Sequence, residues 1–287
     1  MTGSAREGLG LTRPYGERLA ALTRTRGPLC VGLDPHPGVL DAWGLPRDLG
    51  GLERCARGVV EALGQSVAVF KPQSAFYEAY GSAGVAVLER VLVDIAAAGA
   101  LSLLDVKRGD IGSTMAAYAA AYLTDGSPLA ADAITVSPFL GFGSLDPAID
   151  QAEASGRGVY VLALTSNPEG RQVQHARTAD GRTVGQHIVD QAAARNAGAE
   201  LGPVGIVVGA TVGRTGVDFS QLHGSILAPG LGAQGGRPAQ LVEVFGSASS
   251  SVLPSFSREI LLAGPRPDDL RTQAQKALDQ VRAVLED

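Results

Sequence analysis

Eight short apolar runs recur along the chain, separated by segments with a different period. They are "PLCVGLD" (28–34), "VAVFK" (67–71), "ALSLLDVK" (100–107), "DAITVSP" (132–138), "GVYVLALTS" (158–166), "VGIVVGA" (204–210), "SILAPG" (225–230) and "SSVLPSFS" (250–257). Each is too short for a helix and too continuously apolar for a sheet with one face in water, which predicts strands covered on both faces. Between them, "LERCARGVVEAL", "GVAVLERVLVDIAAAG", "TMAAYAAAYL" and "VGQHIVDQAAARNAG" place apolar residues at helical spacing, and several of these segments end at glycine. The final stretch, "DLRTQAQKALDQVRAVLED", has the charge pattern of a helix with one solvated face.

Strand followed by helix, repeated eight times, implies a parallel sheet. The simplest closure is an α/β fold of the (β/α)8 TIM-barrel type, with a doubly wound open sheet as the alternative. A length of 287 residues suits one such barrel or two ordinary domains. No composition shift or long linker marks a boundary, so one domain is expected over 1–287, with a short N-terminal helical extension and a C-terminal helix. Residues 166–184, "SNPEGRQVQHARTADGRTV", exceed the usual βα connection of about 2 to 6 residues. They read equally well as a mobile lid or a surface excursion.

Composition removes several function classes. Hydrophobic residues make up 45% and charged residues 18%, the range of a compact globular protein. The net charge is −5, the pI is near 5.4 and no basic cluster occurs, so neither nucleic acid nor a polybasic membrane contact is expected. The first residues lack an apolar targeting region and no run reaches membrane-spanning length, which points to a soluble, cytoplasmic protein. Cys30 and Cys55 form no CxxC, and His36, His175, His187 and His223 are dispersed. Neither a disulfide framework nor a metal site is expected.

One bias is more informative. Of 24 Lys plus Arg residues, lysine stands only at 71, 107 and 276. Surface positions have taken arginine, so lysine is retained where a cation must be able to lose its proton, which guanidinium cannot do. Lys276 lies on the amphipathic C-terminal stretch and reads as a solvated face. Lys71 and Lys107 end two predicted strands, as do Asp34 and Asp105, and strand ends are where barrel active sites lie. Asp105 and Lys107 are two apart, so on an extended strand they project to one side with roughly 6.5 to 7 Å between α-carbons. Lys71 ends the preceding strand, making a Lys-Asp-Lys array reasonable. Asp110 either joins this group or caps the helix starting near Ile111. Ser137 either binds a ligand or begins a turn before Pro138.

"APGLGAQGG" (228–236) matches GxGxxG at Gly230, Gly232 and Gly235 but lies too late in the chain for a dinucleotide fingerprint. After strands seven and eight of a barrel, glycines suggest a phosphate site built from backbone N–H groups, or a tight turn only. Arg258, just past the eighth run, could add a bidentate clamp.

Taken together, these motifs resemble the orotidine 5′-phosphate decarboxylase family in its longer bacterial form, the type 2 subfamily. The resemblance runs from about Gly27 to Gly264. Its most specific element is DxKxxDIxxT, here Asp105, Lys107, Asp110, Ile111 and Thr114, supported in order by "GLDP", "FKPQSAFYE", "SPFLG", "PGLGAQGG" and "SREI". Ser257 departs from the pattern, standing where shorter members usually have glycine.

The resemblance implies cofactor-independent decarboxylation of orotidine 5′-monophosphate to UMP, the last step of de novo pyrimidine synthesis. It implies Lys107 as proton donor and Asp105 against the departing carboxylate, with Lys71 and Asp34 at the ribose and Ser137 at the pyrimidine. Asp110 and Thr114 would reach across a homodimer interface. Gln234, Gly235 and Arg258 would hold the 5′-phosphate. Two other readings compete: a metal-dependent sugar-phosphate enzyme sharing the DxKxxD element, and a silent nucleotide-phosphate-binding barrel. Lys71 and the DIxxT continuation argue against the first. Against the second, a mere binder gains nothing from like charges held close together.

Overall fold

The computed structural model describes residues 13–232 and 235–285. Every predicted strand window contains a strand: β1 (Cys30–Leu33), β2 (Val69–Pro72), β3 (Leu101–Arg108), β4 (Ala133–Val136), β5 (Gly158–Leu164), β6 (Val204–Val208), β7 (Ile226–Pro229) and β8 (Val252–Phe256). They pair in sequence order, all parallel, and β8 closes on β1. The fold is the (β/α)8 barrel, not the open sheet. Helices Leu49–Leu63, Gly81–Ala97, Gly112–Leu123, Val184–Arg195 and Pro267–Leu285 cover the expected segments. Two of them start on side-chain caps, in which Asp48 accepts from the Gly51 N–H and Thr183 from the Gln186 N–H.

Strand alternation divides the apolar residues into two cores. Outward-facing side chains such as Val31, Phe70, Leu104 and Ile134 pack beneath the helices. Inside, Cys30, Val69, Leu103, Ala133, Tyr160, Val207, Leu227 and Leu253 form a ring with one residue from each strand. Tyr15 and Leu19 of the N-terminal helix α1 (Tyr15–Arg26) plug this ring from below, with the Tyr15 hydroxyl 3.0 Å from that of Tyr160. An apolar floor thus fills the barrel's lower half. Both cysteines are free, and burial pushes each thiol up to about 12, so neither is a nucleophile near neutral pH.

Residues 166–184 contain a short helix, Arg171–Gln174, and a bridge between Arg177 and Thr183. The Gln174 amide ties it to Thr165, accepting from the Thr165 N–H at 2.8 Å. Among the described residues no helix is long and apolar enough to cross a membrane.

Candidate active site

Two residues beyond the apolar ring, the inward positions turn polar. Val69 is followed by Lys71 and Gln73, Leu103 by Asp105 and Lys107, Ala133 by Thr135, and Leu253 by Ser255 and Ser257. These side chains line a cavity of about 230 Å³ at the C-terminal end of the barrel, together with Asp34, Leu162, Pro229 and Arg258. Gly32 permits this packing, because a Cβ there would lie 2.8 Å from that of Ser257.

Asp105 is the centre of the cavity. It is 7% exposed and accepts four hydrogen bonds. Oδ2 takes Lys71 Nζ at 3.2 Å and Gln73 Nε2 at 2.8 Å, while Oδ1 takes Lys107 Nζ at 2.6 Å and Thr135 Oγ1 at 2.7 Å. Burial opposes ionisation of Asp105, but the charges of Lys71 and Lys107 and the bonds from Lys107 and Thr135 outweigh it and hold the carboxyl well below the usual range. Burial likewise opposes the charge on Lys71, and Asp105 and Asp34 together still raise it above the ordinary lysine value. The site therefore holds the Asp105 carboxylate between two ammonium groups, Lys71 buried and Lys107 exposed to the cavity.

Lys107 reaches Asp105 by a route different from the extended strand expected. Its φ is +46°, in the left-handed region, and the β3–β4 register slips between Leu104 and Arg108. A bulge, not simple two-residue alternation, turns both side chains the same way. Arg108 faces outward, donating to Glu78 at 2.6 Å and lying over the rings of Tyr118 and Tyr122.

The remaining sequence candidates divide. Asp34 lines the cavity, and its Oδ1 is buried without a partner among the described residues. Arg258 lines it from the start of the short helix Arg258–Leu261. Asp110, Thr114 and Ser137 do not line it. Asp110 is not the helix cap either: it accepts from the Ile111 N–H at 2.8 Å, and the helix begins at Gly112 with Ile111 at the cap position. Thr114 is exposed on that helix, and the Ser137 N–H is spent on the Arg108 carbonyl at 2.7 Å.

In the glycine segment, Gly230, Gly232 and Gly235 all have positive φ, which only glycine adopts readily. The segment folds back on itself: the Gly232, Gly235 and Gly236 N–H groups donate to Gly236, Gly232 and Gly230 carbonyls. Gly235 does not line the cavity, and its N–H is committed within this turn, contrary to the expected anion cradle. Gln234 lies outside the described residues. Sequence reading missed Gln73 and Thr135. Thr135 was within reach, since it stands two positions after the inward Ala133 on β4.

A buried acid between two lysines, at the strand ends of a closed parallel barrel with an arginine at the cavity wall, defines a (β/α)8-barrel enzyme for a small anionic substrate. Comparison with known proteins narrows the class. Residues 27–272 match the profile of the "Orotidine 5'-phosphate decarboxylase / HUMPS family". Relatives named orotidine 5′-phosphate decarboxylase include one from Salinispora arenicola, 60% identical over 272 residues covering 94% of this chain and 98% of that protein. Another, from Streptomyces coelicolor, is 54% identical over 273 residues, covering 95% and 98%. A crystal structure from Streptomyces avermitilis assigned the same name superposes with a TM-score of 0.93 at 55% identity, over 96% of this chain and 97% of that one. The chain belongs to the orotidine 5′-phosphate decarboxylase / HUMPS family.

Proposed function

We propose that this chain converts orotidine 5′-monophosphate to UMP and CO2, with Lys107 as the proton donor and no metal or organic cofactor. The observation that carries this reading is the Asp105 carboxylate held by Lys71 and Lys107 in one cavity at the strand ends. When CO2 leaves, its bonding electron pair stays on a pyrimidine carbon with no adjacent electron sink. Fixed cations stabilise that charge without reorganising, a contribution of about 10²- to 10³-fold per donor. Lys107 then transfers a proton from Nζ to the carbon and regains one from water. Asp105, ionised and anchored, faces the substrate carboxylate, a like-charge contact that is relieved as neutral CO2 departs.

Lys71 and Asp34 contact the ribose hydroxyls. A buried carboxylate oxygen without a donor is costly, and a hydroxyl would satisfy Asp34 Oδ1. Arg258 clamps the 5′-phosphate, with Gln234 and Gly235 as further phosphate contacts. Asp110 and Thr114 act on the neighbouring subunit of a homodimer. Exposed Ile111, Phe139 and Leu140, at 63%, 76% and 54%, supply apolar surface beside them for that contact. Ser137 addresses the pyrimidine. The chain works as a single barrel domain in the cytoplasm.

The test is direct: purified protein is mixed with orotidine 5′-monophosphate in EDTA, and the ultraviolet change to UMP is followed. Turnover supports the reading. Turnover lost in EDTA and restored by magnesium would favour the metal-dependent sugar-phosphate alternative.

A further inference from the structure

The β3 bulge poses a problem that one β4 side chain solves. Leu104 pairs with Ile134 and Arg108 with Val136, so residues 105, 106 and 107 together face Thr135 alone. Across a stretch with so little ladder pairing, Lys107 holds a left-handed φ of +46°, a conformation in which a residue with a Cβ is uncommon and which the surroundings must support. Its N–H has no β4 carbonyl to meet and donates to Thr135 Oγ1 at 2.9 Å. The same hydroxyl donates its own proton to Asp105 Oδ1 at 2.7 Å, the oxygen that also accepts Lys107 Nζ at 2.6 Å. Thr135 is 1% exposed, so water does not compete for either bond.

We propose that Thr135 is the positioning residue for Lys107. Its hydroxyl fixes the backbone from which the ammonium is launched and the carboxylate on which the ammonium lands. One acceptor lone pair and one donor proton are both used, and a hydroxyl is the smallest side-chain group offering both. Gln73 also touches Asp105, but only at Oδ2, and makes no bond to the Lys107 backbone. No other β4 side chain faces the bulge. Phosphate and ribose contacts arise from other strands, so losing the Thr135 hydroxyl acts on the chemical step and leaves substrate binding in place. This inference rests on the decarboxylase reading for its kinetic arm and on the bulge alone for its structural arm.

Thr135→Val keeps the shape and removes both bonds, while Thr135→Ser keeps the hydroxyl. A misplacement of about 1 Å at a reacting group costs on the order of 10²-fold. Thr135→Val is accordingly expected to lose roughly 30- to 100-fold in kcat with KM changed less than about threefold, and Thr135→Ser to stay within about threefold of wild type. Should Thr135→Val fail to fold, Thr135→Ser against Thr135→Ala compares the hydroxyl with its absence at nearly equal volume. A crystal structure of the Val or Ala variant is expected to show Lys107 out of the left-handed region and Nζ beyond hydrogen-bond reach of Asp105. Wild-type kcat in the hydroxyl-free variant, equal losses in the Ser and Ala variants, or a Lys107 still at positive φ with Nζ on Asp105 would overturn the proposal. An inactive wild type instead overturns the decarboxylase reading, and the structural arm still decides the role of Thr135.

Discussion

The barrel holds a buried ion pair at each end, and the two are built for opposite purposes. At the bottom, Asp132 accepts Arg18 Nη1 at 2.6 Å on one oxygen and the Ser102 N–H and hydroxyl at 2.9 and 3.0 Å on the other. Arg18 also donates to the Gly156 carbonyl at 2.8 Å, fastening helix α1 beneath the barrel. The partner here is a guanidinium, which cannot release a proton, and the nearby Arg157 adds to the positive charge acting on Asp132. At the top, one carboxylate serves two ammonium groups, and the Lys107 side chain is 46% exposed toward the cavity. An arginine–aspartate pair that ties a helix to the strands anchors an end of the fold. The array at the top, with Lys107 exposed to the cavity beside Asp105, is suited to a substrate that brings its own carboxylate.

Substitutions at the two ends should therefore separate stability from rate. The largest effect is expected for Asp105→Asn, which leaves two ammonium groups without their common anion: kcat should fall by roughly 10³-fold or more in steady-state assays, while the protein remains folded by circular dichroism. Loss of activity together with loss of fold would place Asp105 with Asp132 as a structural acid. Arg258→Ala removes the proposed phosphate clamp and is expected to lower kcat/KM about 10²-fold with an unchanged melting curve. At the other end, Asp132→Ala strands Arg18 without its partner. A loss of about 3 to 5 kcal/mol, read as a fall in Tm of roughly 10 °C, is expected, with turnover per folded molecule near wild type at low temperature.

A smaller effect should appear on acidification. Burial opposes the charge on Asp132, but Arg18 and the Ser102 N–H lower its pKa below the ordinary aspartate value, and Asp105 is depressed as described. In the unfolded chain both titrate near 3.9. A depressed folded value contributes stability that is present above the unfolded pKa and lost as pH falls through the folded one. Urea midpoints should hold from neutrality to about pH 5 and decline below about pH 4, and Asp132→Asn should decline less over that window. The smallest effect is expected at Ser257, whose Oγ is buried without a partner among the described residues. Ser257→Gly should change kcat/KM by less than about threefold, because no hydrogen bond is lost.

The same contrast explains what was legible in the sequence. The eight strands and their covering helices follow from continuous apolar runs and from alternation, which depend on local pattern, whereas closure of β8 on β1 over an open sheet is decided by the folded strand order. Asp34, Lys71, Asp105 and Lys107 were legible because charge at the end of an apolar strand, in a chain nearly devoid of lysine, is conspicuous. The left-handed Lys107 was not, because the bulge is a property of the β3–β4 pair and "LDVKR" alone reads as extended. Thr135 and Gln73 are neutral and look like ordinary strand-end residues until the barrel brings them onto Asp105. Arg18 and Asp132 stayed hidden for a similar reason: their contact joins residues 114 positions apart. The glycine segment matched a phosphate-loop pattern, yet the Gly232, Gly235 and Gly236 N–H groups are spent on carbonyls of the same segment, a pairing that only the folded backbone reveals.

Lys107 as the proposed proton donor is the centre of this account, and Lys107→Arg tests it most directly, because it keeps the cation and removes the transferable proton. Turnover of orotidine 5′-monophosphate and binding of UMP are measured side by side on wild type and variant in EDTA. Wild-type turnover is expected, with Lys107→Arg binding UMP within about tenfold of wild type while losing on the order of 10³-fold or more in kcat. A Lys107→Arg enzyme turning over at near the wild-type rate would contradict it.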